Sequence, residues 1–189
     1  MKPASTPKEK LFRTAARLFY QHGYRAIGVD TIASEAGIGK MTLYRHFPSK
    51  DDLITAFLQA SDADFWEYFE QSTRDAPTSR EKLLAFFKAL QAYVISPDCY
   101  GCPFINLASE YPDAKYPGHL VALEHKESVR ARFFLLAQES GARQPEALAN
   151  ALLLLMDGAY MAARMYAGSP GNPAAGVAEA ARLLIDAQC

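Results

Sequence analysis

From Pro7 to His22 the apolar residues Leu11, Ala15, Leu18 and Phe19 recur at helical spacing, His22 lies on the same line, and Gly23 stands where a left-handed cap ends a helix. The stretch VDTIASEAG then puts Ile32, Ala33 and Ala36 on one face and closes at Gly37. KMTLYRHF follows with Leu43 and Phe47 one turn apart, stopped by Pro48. The pattern predicts three short helices in quick succession. Ser49 next offers an N-cap with acids in the first turn, and the chain runs amphipathic through Ile54, Leu58, Phe65 and Phe69, which predicts a long fourth helix.

APTS interrupts the periodicity near residue 77, and SREKLLAFFKALQAYVI restores it with Leu83, Leu84, Phe87, Leu90 and Val94. A small helix is expected from Pro103 to Tyr111, with proline at its first position. Further helices are expected over Gly118–Ser140, Pro145–Ala167 and Ala174–Gln188. No run of alternating β-branched residues occurs anywhere in the chain. The fold class that follows is all-α, with about nine helices.

Charge divides the chain more sharply than hydropathy does. Residues 1–50 hold nine Lys and Arg against three Asp and Glu, a balance of +6, whereas residues 51–189 hold eleven against eighteen, a balance of −7. The overall net charge of −1 conceals this asymmetry. A basic first segment on an acidic remainder points to a polyanion as its partner, with a solvated helix face as the plain alternative. The longest apolar run, ALLLLM at Ala151–Met156, is too short to span a bilayer. The N-terminus MKPASTPKEK has no secretory apolar stretch, so a cytoplasmic protein with no membrane partner is expected. Three cysteines do not make a disulfide framework.

The third helix carries Lys40, Met41, Thr42, Tyr44, Arg45 and His46 around its anchors Leu43 and Phe47, and Lys50 follows in the next first turn. Two core residues do not require so polar a remainder. Helix, glycine turn and second short helix make a helix-turn-helix, whose second helix enters the major groove while the first crosses the backbone. Lys40, Met41 and Thr42 suit base edges, a thymine methyl or phosphate, and Tyr44, His46 and Lys50 suit phosphate. A helical hairpin built for packing alone is the alternative. Asp30 lies on the same turn, where it either repels phosphate or accepts from cytosine.

The segment IASEAGIGKMTLYRHFPSKDDLITAF closely resembles the N-terminal region of TetR-family transcriptional regulators, through Ile32, Ala33, Ala36, Gly37, Thr42, Leu43, Tyr44, His46, Phe47, Lys50 and Leu53. The resemblance implies base contacts near Lys40, Met41 and Thr42 and phosphate contacts from Tyr44, His46 and Lys50. The family often begins its second helix with Ser or Thr, and this chain departs from that with Gly28-Val29. The resemblance further implies two domains: residues 1–50 as the three-helix DNA-binding domain, and residues 51–189 as a larger helical domain that dimerises and holds a small effector. A repressor released from a double-stranded DNA operator is the function expected by family habit.

The second segment supports those expectations in its own residues. Gly158, Ala159, Ala162 and Ala163 form a small-residue patch beside Leu152, Leu155 and Met156, and with Leu184 of the last helix they are the expected homodimer seam. Core packing inside one subunit is the alternative. Phe87, Phe104, Phe133 and Tyr160 supply aromatic mass, and Cys102, Asn106, Glu110, His125 and Arg164 set polar atoms among them, which marks a candidate effector pocket. Mutual pairing of those polar groups, or plain core, is the alternative there.

Cys99 and Cys102 form a Cys-x-x-Cys, which raises a thiol-based redox-sensing regulator as an alternative function. No second pair completes a zinc pattern, so no metal is expected. An enzyme is not expected either, since no nucleophile elbow, phosphate loop, His-Glu metal motif or nucleotide fingerprint is present, and no cofactor is implied. A helical protein-binding adaptor remains the rival from another class, and it leaves the basic Lys40–Lys50 surface unexplained.

Overall fold

The computed structural model describes residues 5–189, and among them the chain forms nine α-helices and no strand. The stretch read for a secretory signal begins in residues 1–4, outside the described residues. The helices are α1 (Pro7–His22), α2 (Val29–Ala36), α3 (Lys40–His46), α4 (Lys50–Thr73), α5 (Ser79–Val94), α6 (Pro103–Glu110), α7 (Pro117–Glu139), α8 (Pro145–Met165) and α9 (Val177–Asp186). The all-α expectation holds. The last expected helix is two elements, because a 3-10 turn over Pro173–Gly176 precedes α9, with Asn172 accepting the Ala174 amide at its start.

The chain divides into two compact units. The first comprises residues up to Asp62 together with Pro103–Leu123; the second comprises Ala63–Cys102 and Glu124–Cys189. In the first, α1, α2 and α3 pack on one another around Leu11, Leu18, Phe19, Ile32 and Leu43, each at most 2% exposed. Phe19, Tyr24 and Phe57 close that core as a ring cluster with centroids 5.6–6.3 Å apart. Helix α1 starts on a capping box in which Thr6 accepts the Glu9 amide and Glu9 accepts the Thr6 amide.

The second unit is built on phenylalanine. Phe69, Phe86, Phe87 and Phe133 are fully buried, with the Phe86 ring 4.9 Å from Phe69, 5.4 Å from Phe87 and 5.7 Å from Phe133. Helices α5, α8 and α9 pack together, α9 through Val177, Ala181 and Ile185 at four-residue spacing. Lys126 and Asp157 join α7 to α8 as a largely buried ion pair. Among the described residues no helix is long and apolar enough to cross a membrane.

Candidate nucleic-acid interface

Helix α2 starts at Gly28 without a side-chain cap and ends at Gly37, whose φ of 60° is the left-handed conformation that favours glycine. The Gly37 and Ile38 amides donate back to Ser34 and Ala33, so the turn closes its own carbonyls. After Gly39 the chain re-enters helix for the seven residues of α3. Leu43 is wholly buried and Phe47 nearly so, which pins one side of α3 inward. On its other side Met41 is 84% exposed and Tyr44 39% exposed, and Arg45 is exposed as well.

Ser49 then caps α4, accepting the Asp52 amide at 3.0 Å and donating its hydroxyl to the Asp52 carboxylate at 2.7 Å. Thr42, His46 and Lys50 are partly exposed. Burial pushes the Lys50 ammonium below its ordinary pKa, while Asp51 and Glu110 nearby pull it back up. Lys8 of α1 stands over the Phe47 ring at 5.8 Å, and Arg17 of α1 pairs with Glu35 of α2. Thus Lys40, Met41, Thr42, Tyr44 and His46 lie on one short rod, with Lys50 beginning the next helix.

Two features of this region were not visible in the sequence. Lys40 is engaged: its Nζ lies 2.7 Å from the Asp30 carboxylate of α2, and that hydrogen bond raises its pKa. Nothing in a ten-residue separation announces such a pair. Glu110, at the end of α6, accepts the Tyr24 and Arg25 amides in the turn between α1 and α2, so it belongs to the first unit and supports the helix-turn-helix. Beside it the Arg25 guanidinium covers the Tyr111 ring at 5.0 Å, and Tyr111 stacks on Tyr116 at 4.4 Å. Tyr116 donates to Asp51 at 2.8 Å, and burial followed by that hydrogen bond holds its hydroxyl far above its usual pKa.

The candidate pocket residues are distributed over both units. Phe104, Asn106 and Glu110 fall in the first unit, and Phe87, Cys102, His125, Phe133, Tyr160 and Arg164 in the second. Phe87 and Phe133 touch, with ring centroids 5.7 Å apart. His125 is buried edge-on to Phe65 at 4.9 Å. Burial drives the Tyr160 hydroxyl well above its ordinary pKa, with the thiols of Cys102 and Cys99 and the Tyr93 and Tyr68 hydroxyls around it. Arg164 is exposed and donates to the Tyr100 carbonyl at 2.8 Å.

The expected dimer residues divide between inside and outside. Leu152, Met156 and Ala163 are buried within the chain, and Ala159, 5% exposed, lines an open groove. Leu155 is partly exposed and Leu184 is exposed. The exposed residues of α8 include Leu154, Gly158, Met161 and Met165, and those of α9 include Leu183 and Leu184. Helical phase explains why Ala163 is buried while Ala162 beside it lines the groove. An open apolar groove of about 340 Å³ is lined by Leu154, Leu155, Gly158, Ala159 and Ala162 of α8 and by Val177 of α9 among others.

The family described as bacterial regulatory proteins, tetR family, matches residues 11–57, which span most of α1, all of α2 and α3, and the start of α4. A TetR transcriptional regulator of Streptomyces avermitilis is 32% identical, with 97% of this chain and 98% of that chain covered and a TM-score of 0.86. The chain belongs to the TetR family. It is a DNA-binding transcriptional regulator with a helix-turn-helix.

Other TetR-family and related regulators agree. A TetR-family transcriptional regulator from Streptomyces coelicolor superposes with a TM-score of 0.86 at 29% identity, covering 96% of this chain and 93% of that one. The HTH-type transcriptional activator FasR of Mycolicibacterium smegmatis is 30% identical over 139 residues, 74% of this chain and 63% of FasR. The transcriptional regulator AcuR of Cereibacter sphaeroides is 27% identical over 171 residues, 86% of this chain and 78% of AcuR.

Proposed function

We propose that this TetR-family protein is a repressor that binds a near-palindromic operator as a homodimer and leaves it when a small organic effector enters its second unit. The observation that carries the DNA-facing part is α3 itself. Leu43 is sealed in the core while Met41, Tyr44 and Arg45 stand in solvent, with Lys40 and Lys50 at the two ends of the segment. In this reading Lys40, Met41 and Thr42 meet base edges, and Tyr44, His46 and Lys50 meet phosphates. Residues 1–50 carry DNA contact; residues 51–189 carry effector binding and dimerisation.

The homodimer reading rests on α8 and α9, where Leu154, Met161, Met165, Leu183 and Leu184 are all at least 36% exposed. Exposed apolar residues on two helices that pack together suit an interaction site, and Gly158 and Ala162 on α8 allow a second helix pair to come close. The effector reading rests on Phe87, Cys102, His125, Phe133 and Tyr160, which bring rings, a thiol, an imidazole and a phenol into one unit. Phe104, Asn106 and Glu110 lie in the other unit, where Glu110 accepts the Tyr24 and Arg25 amides. A thiol switch gains no support, because Cys99 and Cys102 are both buried, whereas sensor thiols are accessible.

The similarity to FasR, a transcriptional activator, favours one second reading, in which operator binding promotes transcription. Footprinting followed by transcription from the protected promoter in vitro decides. A repressor protects a near-palindromic site, with affinity falling steeply as salt rises, and lowers transcript; an activator raises it. Absence of any protected duplex would overturn both readings.

A further inference from the structure

Asp30 is the second residue of α2 and Lys40 the first of α3, and their side chains meet at 2.7 Å although both are largely open to water, 77% and 48% exposed. Exposed pairs of this kind contribute little to folding. This one sits where the two helices of a helix-turn-helix begin, the first of which crosses the DNA backbone while the second enters the groove. Lys40 is also the only cation in the first turn of α3, since Arg45 and His46 lie in its last. An ammonium without a carboxylate beside it would neutralise whichever phosphate came within reach, and so add affinity for any sequence.

We propose that Asp30 is a specificity-determining residue that acts through Lys40, holding its ammonium away from phosphates so that non-specific duplex binding is weakened more than operator binding. The proposal rests on the reading that α3 meets DNA. Docking in a wrong register leaves the Asp30 carboxylate facing phosphate and leaves Lys40 bound to it, so nothing is gained from the cation. In the right register Lys40 exchanges the carboxylate for a base-edge acceptor such as guanine O6 or N7, or Asp30 accepts from a cytosine N4 amine. Discrimination thus comes from an added repulsive element as well as from an attractive one.

The test uses the full chain as wild type, Asp30→Asn, Lys40→Ala and the double variant. Binding is followed by fluorescence anisotropy over a salt series, on a random-sequence duplex and on a duplex selected in vitro with the wild type. Equal melting temperatures show that all four proteins are folded. Asp30→Asn is expected to bind the random duplex several-fold more tightly, with a salt dependence steeper by about one log unit per protomer. Its preference for the selected duplex falls, and most of the gain disappears in the Lys40→Ala background. Unchanged random-duplex affinity and salt slope in Asp30→Asn would overturn the proposal, as would a gain that persists undiminished without Lys40. Failure of the wild type to bind any duplex would overturn the DNA-facing reading itself, which keeps the two failures distinct.

Discussion

The Glu110 carboxylate accepts the backbone N–H of Tyr24 at 3.0 Å, across 86 residues of chain. Its second oxygen accepts the Arg25 amide at 2.7 Å, and at the other end of α6 the Tyr24 hydroxyl donates to the Pro103 carbonyl at 2.8 Å. Helix α6 is therefore fastened by both ends to the turn between α1 and α2. Gly23, at a φ of 89°, completes the fit, since a Cβ there would stand 2.7 Å from Glu110 Oε1. Glu110→Ala leaves two amides, that of Tyr24 partly buried, without their acceptor and should lose about 2 kcal/mol of stability in urea denaturation. Gly23→Ala should lose more than about 1 kcal/mol, because both the backbone conformation and the space oppose a side chain. Wild-type stability in both variants would mean that this fastening is dispensable.

Leu43 and Met41 are two residues apart on α3 and should respond in opposite ways. Leu43→Ala empties a fully buried position and should lose about 2–5 kcal/mol, measured by thermal or urea unfolding. Met41→Ala, at a position 84% exposed, should change stability by less than about 0.5 kcal/mol while altering which duplexes are preferred in a selection experiment. Equal destabilisation by the two would contradict the assignment of an inner and an outer side to α3.

The dimer proposal separates surface from core along α8. Leu154→Glu with Met165→Glu should give a folded monomer by light scattering, with operator binding much weakened because two half-sites are no longer held together. Ala159→Glu, which forces a carboxylate into a site 5% exposed, should instead destabilise the chain itself. A double glutamate variant that remains dimeric would remove α8 from the interface.

The helices were legible because each has a strong local signature. Leu11, Ala15, Leu18 and Phe19 mark a helix face without any reference to the rest of the chain, and the αL glycine at 37 marks a stop. The anchor Leu43 and the polar residues around it were legible for the same reason. What lay hidden was long-range. Glu110 reads as a polar residue in an apolar helix, which fits a pocket as well as a clamp, and only its meeting with Tyr24 and Arg25 decides. Asp30 and Lys40 read as separate contacts for DNA until their side chains are seen to meet. On α8 the small residues stand out as a group, but one residue of helical phase separates buried Ala163 from Ala162, which lines the groove. Composition does not carry phase.

The central claim is that the exposed side of α3 lies against double-stranded DNA. Hydrogen–deuterium exchange of the chain, with and without a selected operator duplex, tests it most directly. The account predicts added protection concentrated in the peptides that cover Asp30 and Lys40–Lys50. Protection elsewhere with the Lys40–Lys50 peptides unchanged, under conditions where the duplex is bound, would contradict it.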